Sequence, residues 1–495
     1  SSLPLKCAFK MGASNLGIKK FRLILTILLS VISFTMFGLY DVMASYNKRE
    51  ATINSIVENG INFASYRKIN KIYYGDGEDD FYTVNDNLSK DDITKIEKDT
   101  GVKMTGVFSG ASDFSLCIKD TAAFEEANES FAYYPGHFGG YVELNGDEKI
   151  YKLDFSVGGE KSRKPVAFDE IAIPQYVADT FLEFGLSEND AVSDYPQLVG
   201  KKITLVQGEK SSETYTICGV FSTGSNYKKY KSLGKKLSDL KDSYVNGETI
   251  SKQIAVLLEI NEFNDLLSYS FNNKVVVCDG FYENKAESGV LNGISCNLRM
   301  EYDDYIDTSF YYSRFESMRK FSSLGKESVT FFDERKTTLG ENEVIIPKKL
   351  LVGEDGETVS KIDEKINYTL EFDGRYSGEK TVKIVGYCDG DEIVVPDSFW
   401  REIVSLPYYV CFGSFDGGRG KIETLVDYSL NGEKEDEYYE LVNHVTTEIE
   451  FITTMFAVLK SIFIWVGGIN AIFAALLLSN FIALGVVNKK TEIGI

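Results

Sequence analysis

Two long apolar stretches lie near the ends of the chain, and a long region of mixed polar and apolar sequence separates them. The first stretch occupies residues 20–45, and the second occupies residues 461–487, which include no charged side chain. A helix of about 20 apolar residues is long enough to cross the hydrocarbon core of a bilayer. A soluble helix of that length normally keeps a polar face, which neither stretch shows. The pattern therefore predicts two transmembrane helices.

Basic residues flank both stretches on the side of the chain termini. These residues are Lys6, Lys10, Lys19, Lys20, Arg22, Lys489 and Lys490. Basic residues beside a membrane span stay in the cytoplasm. Both termini are therefore predicted inside the cell at the plasma membrane, with the region between the spans outside. The first apolar run is too long for a secretory signal peptide.

The formal net charge of the chain is −21, although its inner flanks are positive. The acidic residues are therefore concentrated in the outer region, which keeps that region soluble. This charge argues against nucleic acid or other polyanions as ligands, while cationic peptides stay open as partners.

Helical periodicity continues on both sides of the first span and before the second. Residues 1–19 form a leader with apolar residues on one helical face, which predicts an amphipathic helix at the inner membrane surface. A disordered basic leader is the alternative. Residues 46–65 and 433–460 also carry apolar residues at helical spacing. They are expected to extend the two spans outward as a pair of stalk helices.

The outer region begins with mixed α/β sequence at residues 66–165. A helix is expected between Ser89, a suitable N-cap, and Gly101, a suitable C-cap. Short strands are expected at residues 141–146 and 149–157. The expected fold class is an α+β membrane protein, in which two transmembrane helices and their stalks enclose a large mixed α/β extracellular domain with a duplicated β-rich unit.

An internal repeat is the sharpest feature of the outer region. One copy, within residues 166–225, contains DEIAIP, VGKKITLVQG and ETYTICGVFS; the other, within residues 336–432, contains NEVIIP, EKINYTLEFDG and KTVKIVGYCDG. Residues 226–335 are interpreted as a linker and an inserted α/β subdomain. A partial third copy begins at residues 391–396. Chance similarity between strands is the alternative.

Four residues mark the repeat. Pro174 and Pro347 end the first strand of each copy, where a residue without a backbone N–H is tolerated. Gly219 and Gly386 suit a β-bulge or the close approach of another chain segment. These residues are expected to shape the fold.

The sequence contains no recognisable catalytic motif, phosphate-binding loop or metalloprotease motif. Two histidines, His137 and His444, are too few for a His-based metal site. The acidic run Gly75–Asp80 lacks the EF-hand spacing and is interpreted as a solvated loop rather than a calcium site. Six of the seven cysteines would lie outside the cell, either as disulfides or as free buried thiols. The chain is therefore expected to be no enzyme and to bind no cofactor or metal.

Two sets of residues are candidates for contacts at the membrane. The first is a stripe of small residues on one face of the second span: Gly467, Ala471, Ala475 and Ser479. Such stripes let helices pack closely in lipid. The second is the pair Asp41 and Lys460, expected at the same outer membrane level. These two charges either approach each other or reach separately toward the headgroups.

The end of the chain resembles the signature of FtsX-like permeases. The second span is followed at residues 488–495 by NKKTEIGI, and the family has basic residues and then Glu-Ile-Gly-Ile at this place. The basic leader and the RLxLT pattern at residues 22–26 are similar to the first helix of the same family. The repeated pattern with Ile-Pro and Ile-x-Gly resembles the extracytoplasmic domain of MacB-like permeases.

The resemblance implies a four-helix permease that works as a homodimer in membrane lipid with an ATP-binding cassette (ABC) ATPase. The ATPase, fused or separate, would use ATP and Mg²⁺ and move the stalk helices and the outer domain. The expected result is export or extraction of a peptide, lipid-linked or drug-like substrate. Two further spans are expected after Ile495, which would make the chain a fragment. The alternatives are an FtsX-type regulator of a cell-wall hydrolase and a two-span extracellular sensor.

Overall fold

The structure is a computed structural model that describes most of the chain. The described residues are 5–74, 81–108, 114–115, 133–135, 138–146, 149–186, 190–207, 211–241, 247–300, 313–325, 328–351, 368–372, 379–405, 407–416 and 418–493. The chain divides into two compact units: a helical unit, Ser1–Thr52 with Thr447–Ile495, and a sheet unit, Ile53–Thr446.

The fold is mixed α/β. Its α-helices are α1 (Leu5–Ala44), α2 (Lys48–Glu58), α3 (Lys90–Thr100), α4 (Gln175–Phe184), α5 (Leu233–Lys241), α6 (Gly247–Ser268), α7 (Phe281–Ser288), α8 (Asp397–Ser405), α9 (Arg419–Gly432) and α10 (His444–Ile493). Its strands are β1 (Phe63–Tyr73), β2 (Phe81–Asp86), β3 (Thr105–Phe108), β4 (Phe114–Ser115), β5 (Tyr141–Glu143), β6 (Glu170–Pro174), β7 (Lys202–Gln207), β8 (Ser211–Phe221), β9 (Val275–Val277), β10 (Val290–Met300), β11 (Ser313–Lys320), β12 (Val329–Phe331), β13 (Glu343–Pro347), β14 (Tyr368–Phe372), β15 (Glu379–Cys388), β16 (Ile393–Val395), β17 (Tyr408–Ser414) and β18 (Glu437–Val442).

Among the residues that the structure describes, two helices have the length and composition to cross a membrane. The qualifying segments are Ile24–Ala44 within α1 and His444–Asn480 within α10. Helix α1 begins at Leu5 and continues without a break, so the predicted leader, residues 1–19, is helical from that residue. The predicted second span, residues 461–487, lies entirely inside α10.

In the helical unit, α1 and α10 pack against each other and run antiparallel. A Cβ atom added to Gly467 would lie 3.2 Å from the Cβ atom of Met36. The rings of Tyr46 and Phe456 meet edge to face with their centroids 5.1 Å apart. These contacts hold the ends of the chain together as a helix pair.

The predicted stalk helices are shorter than expected. In residues 46–65, α2 ends before Gly60, which adopts a φ of 63°, and β1 follows. In residues 433–460, the helix α10 is preceded by the strand β18. The alternation of buried and less buried side chains along this strand is a period of two, so the helical prediction for its residues was wrong.

The ends of the sheet unit meet in one hydrophobic cluster. Ile53 and Ile56 of α2 and Val445 of α10 are buried in it, together with Tyr66 of β1 and Leu441 of β18. Strands β1 and β18 are antiparallel neighbours. The chain therefore enters and leaves the sheet unit on adjacent strands.

Two sheets make up the sheet unit. The larger has the order β18-β1-β17-β3-β5-β9-β6-β8-β7-β4, with β2 paired to β1. The smaller has the order β12-β15-β13-β16-β11-β10-β14, and β14 also pairs with β15, so that six of its strands close into a ring.

The same arrangement of strands occurs in both sheets. The series β3-β5-β9-β6-β8-β7 corresponds to β10-β11-β16-β13-β15-β14. In both series the second and third strands are parallel, the third and fourth antiparallel, and the fourth and fifth parallel. The last two are antiparallel. The similarity therefore covers six strands, a larger unit than the predicted copies.

Three predicted assignments change as a result. Residues 226–335 are not an insertion, because β9 belongs to the first series while β10 and β11 belong to the second. Residues 391–396 do not begin a third copy; they contain β16, the counterpart of β9. Residues 149–157 form turns and the start of a 3₁₀ helix instead of a strand.

The predicted limits of helix α3 are confirmed. The Ser89 side chain accepts a hydrogen bond from the backbone of Asp92, whose carboxylate bonds back to the Ser89 backbone. Gly101 ends the helix with a φ of 64°.

The two repeat glycines occupy equivalent positions beside a bulge. The register slips by one residue next to Gly219 between β6 and β8, and next to Gly386 between β13 and β15. A Cβ atom at Gly219 would overlap the carbonyl oxygen of Arg163, and one at Gly386 would overlap that of Thr330. Both predicted reasons for glycine, the bulge and the close approach, are confirmed.

Gly219→Ala and Gly386→Ala are each expected to lower the free energy of unfolding by about 1–3 kcal/mol, because the neighbouring backbone has to shift. Denaturant unfolding of the detergent-solubilised chain, followed by near-UV circular dichroism, measures the change. Gly325→Ala is the control, since its Cβ atom would enter open space. Equal free energies of unfolding for all three variants would contradict the assignment of Gly219 and Gly386 to positions where another backbone segment approaches closely.

Candidate functional site

The predicted stripe of small residues contributes only in part to the helix pair. Gly467 is buried against α1 and Ala471 is half-buried, but Ala475 and Ser479 are exposed. Four residues turn a helix by more than 360°, so a strict spacing of four drifts away from the contact face. The face that α1 covers continues instead through Ala474, which is 6% exposed.

Asp41 and Lys460 lie at the same level of the antiparallel pair, judged from the contact between Tyr46 and Phe456. No ion pair joins Asp41 to Lys460 among the residues that the structure describes. An ion pair instead joins Lys48, the first residue of α2, to Glu450 of α10, with their charged atoms 2.6 Å apart. Sequence reasoning missed this pair because the two residues lie near opposite ends of the chain.

The repeat residues are structural. Pro174 and Pro347 occupy the last positions of β6 and β13, opposite Phe221 and Cys388. Each ends a parallel strand pair in the interior of its sheet. None of the four repeat residues lines the cleft described below.

Residues with reactive or metal-binding side chains are scattered. Five cysteines are free and buried: Cys218, Cys278, Cys296, Cys388 and Cys411. The described part of the chain holds no group of three or more His, Cys, Asp or Glu side chains that could bind a metal ion. The run Gly75–Asp80 and His137 lie outside the described residues.

A cleft of about 590 Å³, the polar cleft, opens in the sheet unit. Its walls come from segments 59–63, 151–153, 223–230 and 262–271, together with Ser414, Asn443 and His444. Two of these segments adjoin the points where the chain enters and leaves the sheet unit. No pattern in the sequence indicates the cleft, because its walls are far apart along the chain.

Charged groups in the polar cleft are paired across it. The Lys229 ammonium donates to the Glu262 carboxylate at 2.9 Å and lies over the Tyr230 ring, 4.6 Å from its centroid. Burial alone would raise the pKa of Glu262, but hydrogen bonds from Lys229 and Tyr230 outweigh it and hold the pKa below its ordinary value. His444 also lines the cleft and lies close enough to the Glu262 carboxylate to interact with it electrostatically.

The floor of the cleft is a network of polar side chains centred on the buried Asn272. Asn272 accepts a hydrogen bond from the Thr223 hydroxyl at 2.6 Å and donates to the hydroxyl oxygens of Ser225 and Ser270. Fully satisfied buried networks of this kind fix a single local arrangement. The floor is therefore rigid, while the rim carries the paired charges.

Lys274 lies below the floor, 1% exposed. Its ammonium group donates to the carbonyl oxygen of Leu267 at 2.8 Å and lies 5.9 Å from the centre of the Phe412 ring. Burial lowers the pKa of Lys274 to about 7. The side chain is too deeply buried to contact a ligand.

The polar cleft is suited to non-covalent binding of a small polar or peptide-like molecule. It offers amides, hydroxyls, aromatic rings and one ion pair, the mixture usual in ligand clefts. Lys229 and Glu262 of the lining are already bonded to each other. Any movement between segments 59–63 and 443–444 would change its shape.

Because Lys274 is buried, the free energy of unfolding is expected to depend on pH. The folded state loses the lysine proton near pH 7, whereas the unfolded state keeps it up to the ordinary value of 10.5. Burial of Lys274 therefore does not reduce the free energy of unfolding above pH 10.5. As the pH drops from 10.5 to 7, it reduces that free energy by at most about 1.4 kcal/mol per pH unit. Lys274→Met is expected to reduce this slope in unfolding measured between pH 7 and pH 10. The exposed control Lys161→Met should keep it; an unchanged slope in Lys274→Met would refute the prediction.

Comparison of the chain with protein-family models and with curated proteins finds no match.

Proposed function

We propose that the chain is the permease portion of a MacB-like ABC transporter. It couples ATP hydrolysis in the cytoplasm to motion of an extracellular domain, for export or extraction of a peptide, lipid-linked or drug-like substrate. The observation that carries the proposal is the connection of an apolar helix pair to adjacent strands of one sheet. Strand β1 follows α2 in the chain, strand β18 precedes α10, and the two strands pair.

Exposed apolar surface supports a place for the helix pair in lipid. Phe34 of α1 is 77% exposed and Trp465 of α10 is 71% exposed, among many other large apolar side chains. Contiguous apolar surface of this extent marks a membrane or protein contact. The Ser33 hydroxyl donates to the Leu29 carbonyl at 2.8 Å, which satisfies this polar group inside the helix as lipid requires.

Packing at the ends of the sheet unit supports mechanical coupling. Ile53, Ile56 and Val445 are each no more than 4% exposed, in one cluster with β1 and β18. The Tyr66 hydroxyl of β1 donates to the Leu425 carbonyl of α9 at 2.8 Å, which ties the strand to the next layer. The segments where the chain enters and leaves the sheet unit are therefore packed into the same core as strands β1 and β18.

The polar cleft favours a second candidate function. A two-span extracellular sensor would bind a ligand in this cleft and transmit the change through α10. A third candidate is an FtsX-type regulator. In it the same motion of the outer domain would activate a cell-wall hydrolase, and no substrate would be transported.

Purification of the natural protein from its own membranes in mild detergent tests the function. We expect a vanadate-sensitive ATPase to accompany the chain, fused or separate, because the coupled motion needs a source of energy. A matched control replaces the phosphate-binding lysine of that ATPase, which should abolish hydrolysis but keep the association. Recovery of the chain without any ATPase, or with a signalling kinase, would contradict the permease proposal and favour the sensor.

A further inference from the structure

The polar cleft belongs entirely to the sheet unit. Every residue of its lining falls inside Ile53–Thr446. Its volume of about 590 Å³ is within the range of about 300–1,000 Å³ that ligand clefts have. A molecule of more than a few heavy atoms therefore fits in it.

The charged side chains of the lining carry no net charge together. They are two lysines and two acids: Lys152, Lys229, Glu262 and Asp265. Lys229 is bonded to Glu262, and the Lys152 ammonium lies 3.6 Å from the carboxylate of the exposed Asp416. Because binding sites match the charge of their ligands, a lining without net charge favours a neutral molecule over an ion.

Three side chains of the lining have hydrogen-bonding groups open to a ligand. The side-chain amides of Asn62 and Asn226 and the imidazole of His444 are bonded to no other group in the described part of the chain. Asn226 precedes the 3₁₀ helix Tyr227–Ser232 without capping it through its side chain. The backbone of Asn62 is held in place, because its carbonyl oxygen accepts from the Phe415 N–H at 3.0 Å.

Each of these three side chains can both donate and accept a hydrogen bond. An amide has an NH₂ donor and a carbonyl acceptor, and a neutral imidazole has one N–H and one bare nitrogen. Burial lowers the pKa of His444, so its imidazole is neutral at neutral pH. Hydroxyl groups, which also donate and accept, match this set better than groups that only donate or only accept.

Aromatic rings outnumber aliphatic side chains in the lining. The rings are Phe63, Tyr151, Tyr230, Tyr269 and Phe271, and the aliphatic side chains are Ile61, Leu153 and Leu266. Phe63 and Tyr269 are only partly buried, so part of each ring is open. Phe63 is held edge to face against Phe271, with the ring centroids 5.7 Å apart. A flat ring packs well against the C–H face of a sugar, whereas few aliphatic groups are present to hold the apolar side chains of a peptide.

We propose that the polar cleft binds a neutral oligosaccharide. Hydroxyl groups of the ligand bond to Asn62, Asn226 and His444, and C–H faces of its sugar rings lie on Phe63 and Tyr269. An acidic saccharide is disfavoured by the net charge of −21 on the chain. The site lies in the sheet unit, and the proposal does not rest on the transport function proposed above.

Titration calorimetry with the full chain in nanodiscs tests the binding. Nanodiscs avoid detergents with a sugar headgroup, which would compete for the cleft. The probes are maltotriose, cellotriose and triacetylchitotriose, three neutral trisaccharides that differ in linkage or in substituents. N-acetyl-trialanine amide, a neutral peptide, is the probe for the alternative occupant.

We expect at least one of the three trisaccharides to bind. Asn62→Ala and Asn226→Ala each remove hydrogen bonds to the sugar and should raise its Kd about three- to tenfold, with a larger increase in the double variant. Asn85→Ala is the matched control and should leave the Kd unchanged, because Asn85 is an exposed asparagine of β2 outside the lining. Circular dichroism checks that each variant is folded.

Binding of none of the trisaccharides, or the same Kd for the natural chain and the double variant, would overturn the proposal. Binding of the peptide but of no sugar, with loss of that binding in the double variant, would assign the cleft to peptides and would also overturn it. Neither result bears on transport, which the association with an ATPase tests separately.

Discussion

The antiparallel pairing of β1 with β18 is the constraint on which the rest of the architecture depends. Lys68 of β1 is held between Glu437 of β18, at 3.1 Å, and Asp92 of α3, at 3.7 Å. The apolar side chains on the same two strands and on the adjoining helix ends are buried together. Burial of each contributes about 1.5–3 kcal/mol, so separating the two strands is costly. Both ends of the sheet unit are therefore fixed to one another.

The two six-stranded series are the parts of the sheet unit that a displacement of β1 and β18 would move. Each series carries the same parallel pairs and the same glycine beside a bulge, at Gly219 and at Gly386. They are linked through the chain, because β10 follows α7 and β17 returns from α8 to pair with β1 and β3. A displacement that starts at β1 thus reaches β17 directly and the smaller sheet through α8.

Local signals predicted a good part of this fold. The apolar helices, the capped helix that starts after Ser89, and the glycines at 219 and 386 follow from periodicity or from backbone geometry confined to a few residues. The limits of the repeat, the strand β18 and the polar cleft depend on pairings between distant segments, which one sequence does not reveal. The ion pair of Lys48 with Glu450 and the burial of Lys274 are hidden for the same reason.

The proposed function requires that nucleotide-driven motion passes through the helix pair. Spin labels at Lys48→Cys and Glu450→Cys, whose native side chains are in contact, allow the distance between α2 and α10 to be measured by pulsed electron resonance. The measurement uses the natural protein with the proposed ATPase in nanodiscs, without nucleotide and with ATP trapped by vanadate. The account predicts that the distribution of label distances shifts between these two states. The same distribution in both states would contradict it.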